Sequence, residues 1–237
     1  MSLQFILGGS GSGKTHRLYT SLIQESIKRP EDRFIVLVPE QFTMQTQKEI
    51  VTLHPRHGVS NIDIVSFQRL AFRIFEELSV KNPSVLDDVG KAMVLRKVAA
   101  KEKKNLVLYK DHFAQNGFIA QMKSMLSELY QYGITPDRLK EQIPLAQGAL
   151  LKQKLQDITV LYEAFRNYIQ DKYITTEEIL DVLCRVLPDS RYMRNAVVTL
   201  DGFTGFTPVQ YRLIELFLKM CRQVTVTVTI DPSLPMG

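Results

Sequence analysis

Leu3-Gln4-Phe5-Ile6-Leu7-Gly8-Gly9-Ser10-Gly11-Ser12-Gly13-Lys14-Thr15 decides the reading of this chain. Residues 2–7 read as a buried strand, and Leu18, Leu22 and Ile23 beyond the glycines have the spacing of a helix face. Between them, Gly8 to Thr15 matches G-x-x-x-x-G-K-[ST] at every fixed position. Glycines at this spacing let successive backbone N–H groups turn toward phosphate oxygens, a lysine adds a mobile positive charge, and a threonine hydroxyl can bind Mg²⁺. The pattern predicts ATP binding by Gly8, Gly9, Ser10, Gly11, Ser12, Gly13, Lys14 and Thr15, with Thr15 on the magnesium.

Outward from the loop, Phe34-Ile35-Val36-Leu37-Val38 reads as a strand ending at Pro39. Ile62-Asp63-Ile64-Val65 reads as another, ending at Ser66 before a helix that carries Leu70, Ile74 and Phe75. From about 85 to 187 the strand signal disappears. Phe118, Met122, Met125, Leu126 and Leu129 mark one amphipathic helix there, and Leu151, Leu155, Ile158, Tyr162, Phe165 and Ile169 mark another. Strands return with Ala196 to Leu200 and Val224 to Ile230, flanking a helix over 207–220. The expectation is an α/β fold with a parallel sheet, formed by 1–84 and 189–237 and interrupted by an all-helical insertion over 85–188.

A phosphate loop needs an acid at the end of another parallel strand to hold its metal. Asp201, directly after Val197-Val198-Thr199-Leu200, is that candidate. Gly202 then stands where many such ATPases carry the glutamate that activates water, so ATP binding without efficient hydrolysis is expected.

Bulk properties admit this reading. The 237 residues are 45% hydrophobic, and 30 Lys plus Arg against 25 Asp plus Glu leave a net charge of +5, compatible with a polyanionic partner. Cys184 and Cys221 lie far apart without metal-ligand spacing and read as small buried residues. No apolar run nears the ~20 residues of a membrane span, and residues 3–7 are too short for a signal peptide; a cytoplasmic protein is expected.

Asp201-Gly202-Phe203-Thr204-Gly205-Phe206-Thr207-Pro208-Val209-Gln210 resembles the D-E-F-Q-D-T-x-x-x-Q segment of UvrD-like superfamily 1 helicases, departing at Gly202, Thr204 and Gly205. Ser66-Phe67-Gln68-Arg69-Leu70-Ala71-Phe72-Arg73-Ile74 is similar to their T-F-H-S-L-A-x-R-L segment. Together with Leu37-Val38-Pro39-Glu40-Gln41-Phe42-Thr43, these motifs resemble the AddB (RexB) family of bacterial ATP-dependent helicase–deoxyribonuclease subunits, over the N-terminal fifth of its length.

The resemblance implies a RecA-like P-loop domain (helicase domain 1A) with a helical subdomain (1B), an AddA-type motor and nuclease partner in a heterodimer, and single- and double-stranded DNA as ligands. It implies a role in processing double-strand breaks for recombinational repair. The family's nuclease domain and iron–sulfur cysteines belong to its C-terminal region, so Cys184 and Cys221 are assigned to no cluster. For DNA contact the candidates are Gln41, at the mouth of the second strand, and Gln68 and Arg69, among interleaved aromatic and basic residues. Two other readings use the same motifs: a stand-alone P-loop NTPase or nucleotide kinase with a helical lid, and an interaction domain whose loop binds nothing.

Overall fold

A computed structural model of the chain describes residues 2–58, 60–80, 84–113, 115–170 and 172–230. Its elements, in order, are β1 (Ser2–Gly8), α1 (Lys14–Lys28), β2 (Phe34–Leu37), α2 (Thr43–Leu53), β3 (Ile62–Val65), α3 (Phe67–Glu77), β4 (Val85–Leu86) and α4 (Asp88–Glu102). There follow α5 (Asn116–Gln131), α6 (Pro136–Gln142), α7 (Ala149–Ile169), β5 (Ile174–Thr175), α8 (Glu178–Val186), β6 (Val197–Leu200), α9 (Pro208–Met220) and β7 (Gln223–Thr229).

The chain divides into two compact units, Met1–Lys81 with Leu180–Gly237, and Asn82–Ile179. The first holds a five-stranded sheet in the order β1-β7-β6-β2-β3, every neighbouring pair parallel. The loops that leave the strands' C-terminal ends therefore gather at one edge.

β2 reads Phe-Ile-Val-Leu without alternation because all four side chains are 0% exposed, as strands covered on both faces require. β6 is buried along its whole length for the same reason. Helix α1 presents Leu18, Tyr19, Leu22 and Ile23 to Ile6, Phe34, Val36 and Val197.

β1 departs from the buried strand expected over residues 2–7. Among the described residues it is an edge strand that pairs only with β7, and Leu3, Phe5 and Leu7, alternating onto one face, are 44%, 57% and 53% exposed. Ile6, on the opposite face, packs into the core under α1. An apolar run reports that a strand prefers burial; its place in the sheet decides whether burial is available.

Helix starts are specified locally. Ser66 caps α3 by accepting from the Arg69 N–H at 3.2 Å, and Asp87 caps α4 by accepting from the Gly90 N–H at 2.7 Å. At α9, Pro208 opens the first turn and the Thr207 N–H donates to Gln210 Oε1 at 2.9 Å, half of a capping box.

The second unit packs α4, α5, α6 and α7 around Leu95, Met122, Leu126, Ile158, Leu161, Tyr162 and Phe165. Asp157, 0% exposed on α7, accepts from the N–H groups of Val107, Leu108 and Tyr109 at 2.9, 2.7 and 2.8 Å, which pins the segment after α4 to the helix. The all-helical character expected of this stretch is corrected by one small sheet: β4 and β5 pair in parallel through Val85 with Ile174 and Leu86 with Thr175. Two-residue strands are too short to show a period of two. Among the described residues no helix is long and apolar enough to cross a membrane.

Candidate functional site

β1 delivers the chain to the C-terminal edge of the sheet, and residues 9–13 turn there before α1 begins at Lys14. Gly13, the residue before the helix, has φ 81°, a left-handed conformation that a side chain would strain. Lys14 Nζ reaches back over the loop and donates to the carbonyls of Gly8 and Gly9 at 3.0 and 2.7 Å. Its charge is thus held against the turn, while the start of α1 offers backbone N–H groups toward the same side.

Asp201 follows β6, and its N–H donates to Leu37 O at 3.0 Å, continuing the ladder with β2. β7 separates β6 from β1, yet the carboxylate spans that gap: Thr15 Oγ1 donates to Asp201 Oδ1 at 3.3 Å. The two residues predicted as metal ligands, 186 positions apart, are therefore brought together. Two further hydroxyls converge on the same side chain, Thr227 Oγ1 on Oδ1 at 2.6 Å and Tyr19 O–H on Oδ2 at 2.9 Å. Burial, with the Asp201 charge adding to it, raises the Tyr19 phenol far above its ordinary value, so it stays a neutral donor.

Neither Tyr19 nor Thr227 emerged from the sequence motifs. Tyr19 lies four residues after Thr15, on the same helical face, and Thr227 lies in the alternating run Thr225-Val226-Thr227-Val228-Thr229, where every second residue shares a face. Those two periodicities are the signals that could have found them.

Gly202 has φ 76°, and a Cβ there would stand 3.6 Å from Pro39 Cδ and 3.7 Å from Phe42 Cδ2. The backbone thus turns sharply where a glutamate base would have to sit.

At the other side of the same edge lie the residues predicted to meet DNA. Gln41 is exposed in a 3₁₀ turn over Glu40–Phe42, Gln68 is half-buried in the first turn of α3, and Arg69 is exposed beside it. Their neighbour Glu40 accepts from Ser66 Oγ and from Arg69 Nε, the latter at 2.8 Å, which ties the end of β2 to the start of α3. The Ser66 hydrogen bond, together with the Arg69 guanidinium, holds the Glu40 carboxyl below the usual range. Arg69, named from the sequence as a DNA-contact candidate, is thus an exposed cation paired with Glu40.

A chain of rings borders this ground. Phe67 meets Phe203 at 5.6 Å, Phe203 meets Phe206 at 5.1 Å, and Phe206 meets Tyr211 at 5.7 Å between centroids. Phe67 is core, but Tyr211 is 56% exposed. Gln210, last residue of the helicase-like segment, is engaged in capping α9. The cysteines are occupied within the fold: Cys221 donates to Met193 O at 3.4 Å and its thiol is pushed up to about 12 by burial, while Cys184 donates to Val209 O at 3.9 Å.

The architecture is that of an α/β protein with a parallel sheet whose glycine loop, buried Asp201 and hydroxyl-bearing strand ends share one edge. Its family follows from comparison with known proteins. The profile of the family described as "ADDB, N-terminal" matches residues 5–235, and the chain belongs to that family. It is 50% identical over 234 residues, 98% of its length, to the B subunit of the ATP-dependent helicase/deoxyribonuclease of Lachnoclostridium phytofermentans. It is 36% identical over 236 residues to the protein of the same name from Desulforamulus reducens, and 31% over 232 residues to that from Alkaliphilus metalliredigens. Each match covers 98% of this chain and 20% of the relative, so the chain spans about a fifth of the length of the curated relatives it matches.

Proposed function

We propose that this chain is the ATP-binding, helicase-like region of an AddB-type subunit, acting in a helicase–nuclease that processes DNA double-strand breaks for recombinational repair. The observation that carries the reading is the meeting of Thr15 with Asp201 beside Lys14, across an intervening strand. That juxtaposition is what a nucleotide site requires and what a merely glycine-rich turn does not.

On this reading residues 1–84 and 189–237 form a RecA-like P-loop domain, with 85–188 as its inserted helical subdomain. Phosphates bind to the backbone of Gly8 to Gly13, and Lys14 exchanges its two carbonyl partners for phosphate oxygens. Thr15 and Asp201 hold Mg²⁺. Their oxygens, 3.3 Å apart, match the roughly 3 Å between neighbouring oxygens about a cation bound at 2.0–2.1 Å. A Mg²⁺ held there would neutralise phosphate charge, while Gly202, after Asp201, has no side chain to act as a base toward water. The site therefore binds ATP and hydrolyses it poorly.

DNA is assigned to the β2–β3 side of the edge, through Gln41, Gln68 and Arg69, with the exposed ring of Tyr211 as a stacking surface. The unwinding motor and nuclease are assigned to an AddA-type partner, in keeping with relatives that are each named as one subunit of a helicase/deoxyribonuclease.

Calorimetric titration of MgATP into the chain and into Lys14→Ala, with phosphate release followed in the same samples, tests this. Binding that drops at least tenfold in the variant, without appreciable release, is expected. Rapid turnover would instead support a stand-alone NTPase, and no binding at all would overturn the proposal.

A further inference from the structure

We infer that Tyr19 is a positioning residue for the metal-facing carboxylate, making Mg²⁺-dependent nucleotide binding depend on a phenol in the hydrophobic core. The inference rests on the nucleotide-binding reading above.

Asp201 is 5% exposed, and its main chain is fixed by the bond from its N–H to Leu37 O. What remains free is the rotation of its side chain. Oδ1 is shared by Thr227 on β7 and Thr15 on α1, whereas Oδ2 receives only the Tyr19 hydroxyl among the bonds resolved at this side chain. Tyr19 itself is 1% exposed, and its ring is clamped between α1 and the sheet together with Leu18, Leu22 and Ile23. The ring therefore cannot follow a rotating carboxylate, and the hydroxyl acts as a fixed peg.

A second contact extends the peg. Tyr19 O–H stands 3.4 Å from Thr46 Oγ1 on α2; with the phenol proton given to Asp201, the threonine donates and the tyrosine oxygen accepts. The row Thr46, Tyr19, Asp201, Thr15 thus crosses the top of the sheet with each hydroxyl oriented by the next. Partners of this kind set the orientation of a metal ligand, and their loss typically costs 10–100-fold in metal affinity.

Phenylalanine at position 19 keeps the ring and removes only the peg. ATP is titrated calorimetrically into the wild type, Tyr19→Phe, Asp201→Asn and the double variant, once with excess Mg²⁺ and once with excess EDTA. The readout is the ratio of the two affinities, which a general loss of folding would not change selectively.

Tyr19→Phe is expected to lower the Mg²⁺ enhancement about tenfold while leaving the affinity in EDTA unchanged. Asp201→Asn should abolish the enhancement, and Tyr19→Phe should then have no further effect. An undiminished enhancement in Tyr19→Phe, or equal weakening with and without Mg²⁺, overturns the inference and leaves the nucleotide-binding reading standing. A wild type that binds ATP without any Mg²⁺ enhancement does the same. Absence of ATP binding in every sample overturns both.

Discussion

At the scale of single residues, Gly202 holds a left-handed backbone conformation at the position where the proposed site would carry a base. A glutamate placed there would adopt φ 76°, at a cost of roughly 1–2 kcal/mol for an L-residue, before it could face the loop. Gly202→Glu is therefore expected to lower stability by about that amount in denaturant titration and to leave phosphate release at the wild-type level. Turnover restored by that single change would show that the turn can relax around a base. Glu40 is a second case, since its carboxylate occupies the Arg69 guanidinium. With that acid neutralised, Glu40→Gln should bind a single-stranded oligonucleotide more tightly at low salt, and Arg69→Ala should bind more weakly, with a salt slope smaller by about one. Unchanged anisotropy titrations in both variants would remove Arg69 from the DNA surface.

Elements differ in how they use the same residue types. β1 and β2 are both apolar runs, but β2 lies inside the sheet, covered on both faces, with Phe34 0% exposed, while β1 lies at the edge with one face uncovered among the described residues and Phe5 57% exposed. Phe5→Lys should consequently change the stability of this chain by no more than about 0.5 kcal/mol, where Phe34→Ala should cost about 3–5 kcal/mol in chemical denaturation. In the second unit, α4 is joined to the segment before α8 by a buried ion pair: Lys91 Nζ donates to both oxygens of Glu177 at 2.8 Å. Burial alone would raise the Glu177 carboxyl, but the hydrogen bonds and charge of Lys91, with a backbone hydrogen bond and one from Ser127, together outweigh it and hold the group below its ordinary value. A depressed acid stabilises the fold above its unfolded pKa, and that stability is lost as pH falls through the folded value. Removing the acid leaves the buried Lys91 ammonium, among the described residues, with only the exposed Asp88 carboxylate, 4.0 Å away, so Glu177→Gln should cost up to about 3 kcal/mol at pH 7. The gap from wild type should shrink below about pH 4.3 as the wild-type carboxyl protonates. A gap that persists unchanged to pH 3 would show that the pair is not the source of the difference.

Across the whole molecule, what was legible in the sequence is what short-range chemistry encodes. The glycine loop with Lys14 and Thr15, the strand ending at Asp201, the helix faces of α1, α5 and α7, and the motifs of the AddB family are all carried by residues within a few positions of one another. Hydrophobic periods of two and 3.6, and a loop whose backbone must turn, need no distant partner to be recognised. The strand order β1-β7-β6-β2-β3, by contrast, depends on which buried faces meet, and it puts β1, with its exposed Leu3, Phe5 and Leu7, at one edge of the sheet. The same order brings Tyr19, Thr227 and Thr15 onto one carboxylate from segments up to 186 positions away, and sets Glu40 against Arg69. The sequence by itself determined that a phosphate-type loop and an acid would stand at strand ends of an α/β sheet. Only the tertiary structure decided which hydroxyls orient that acid and which cation is already paired, because such contacts are made by neighbours across strands and not along the chain.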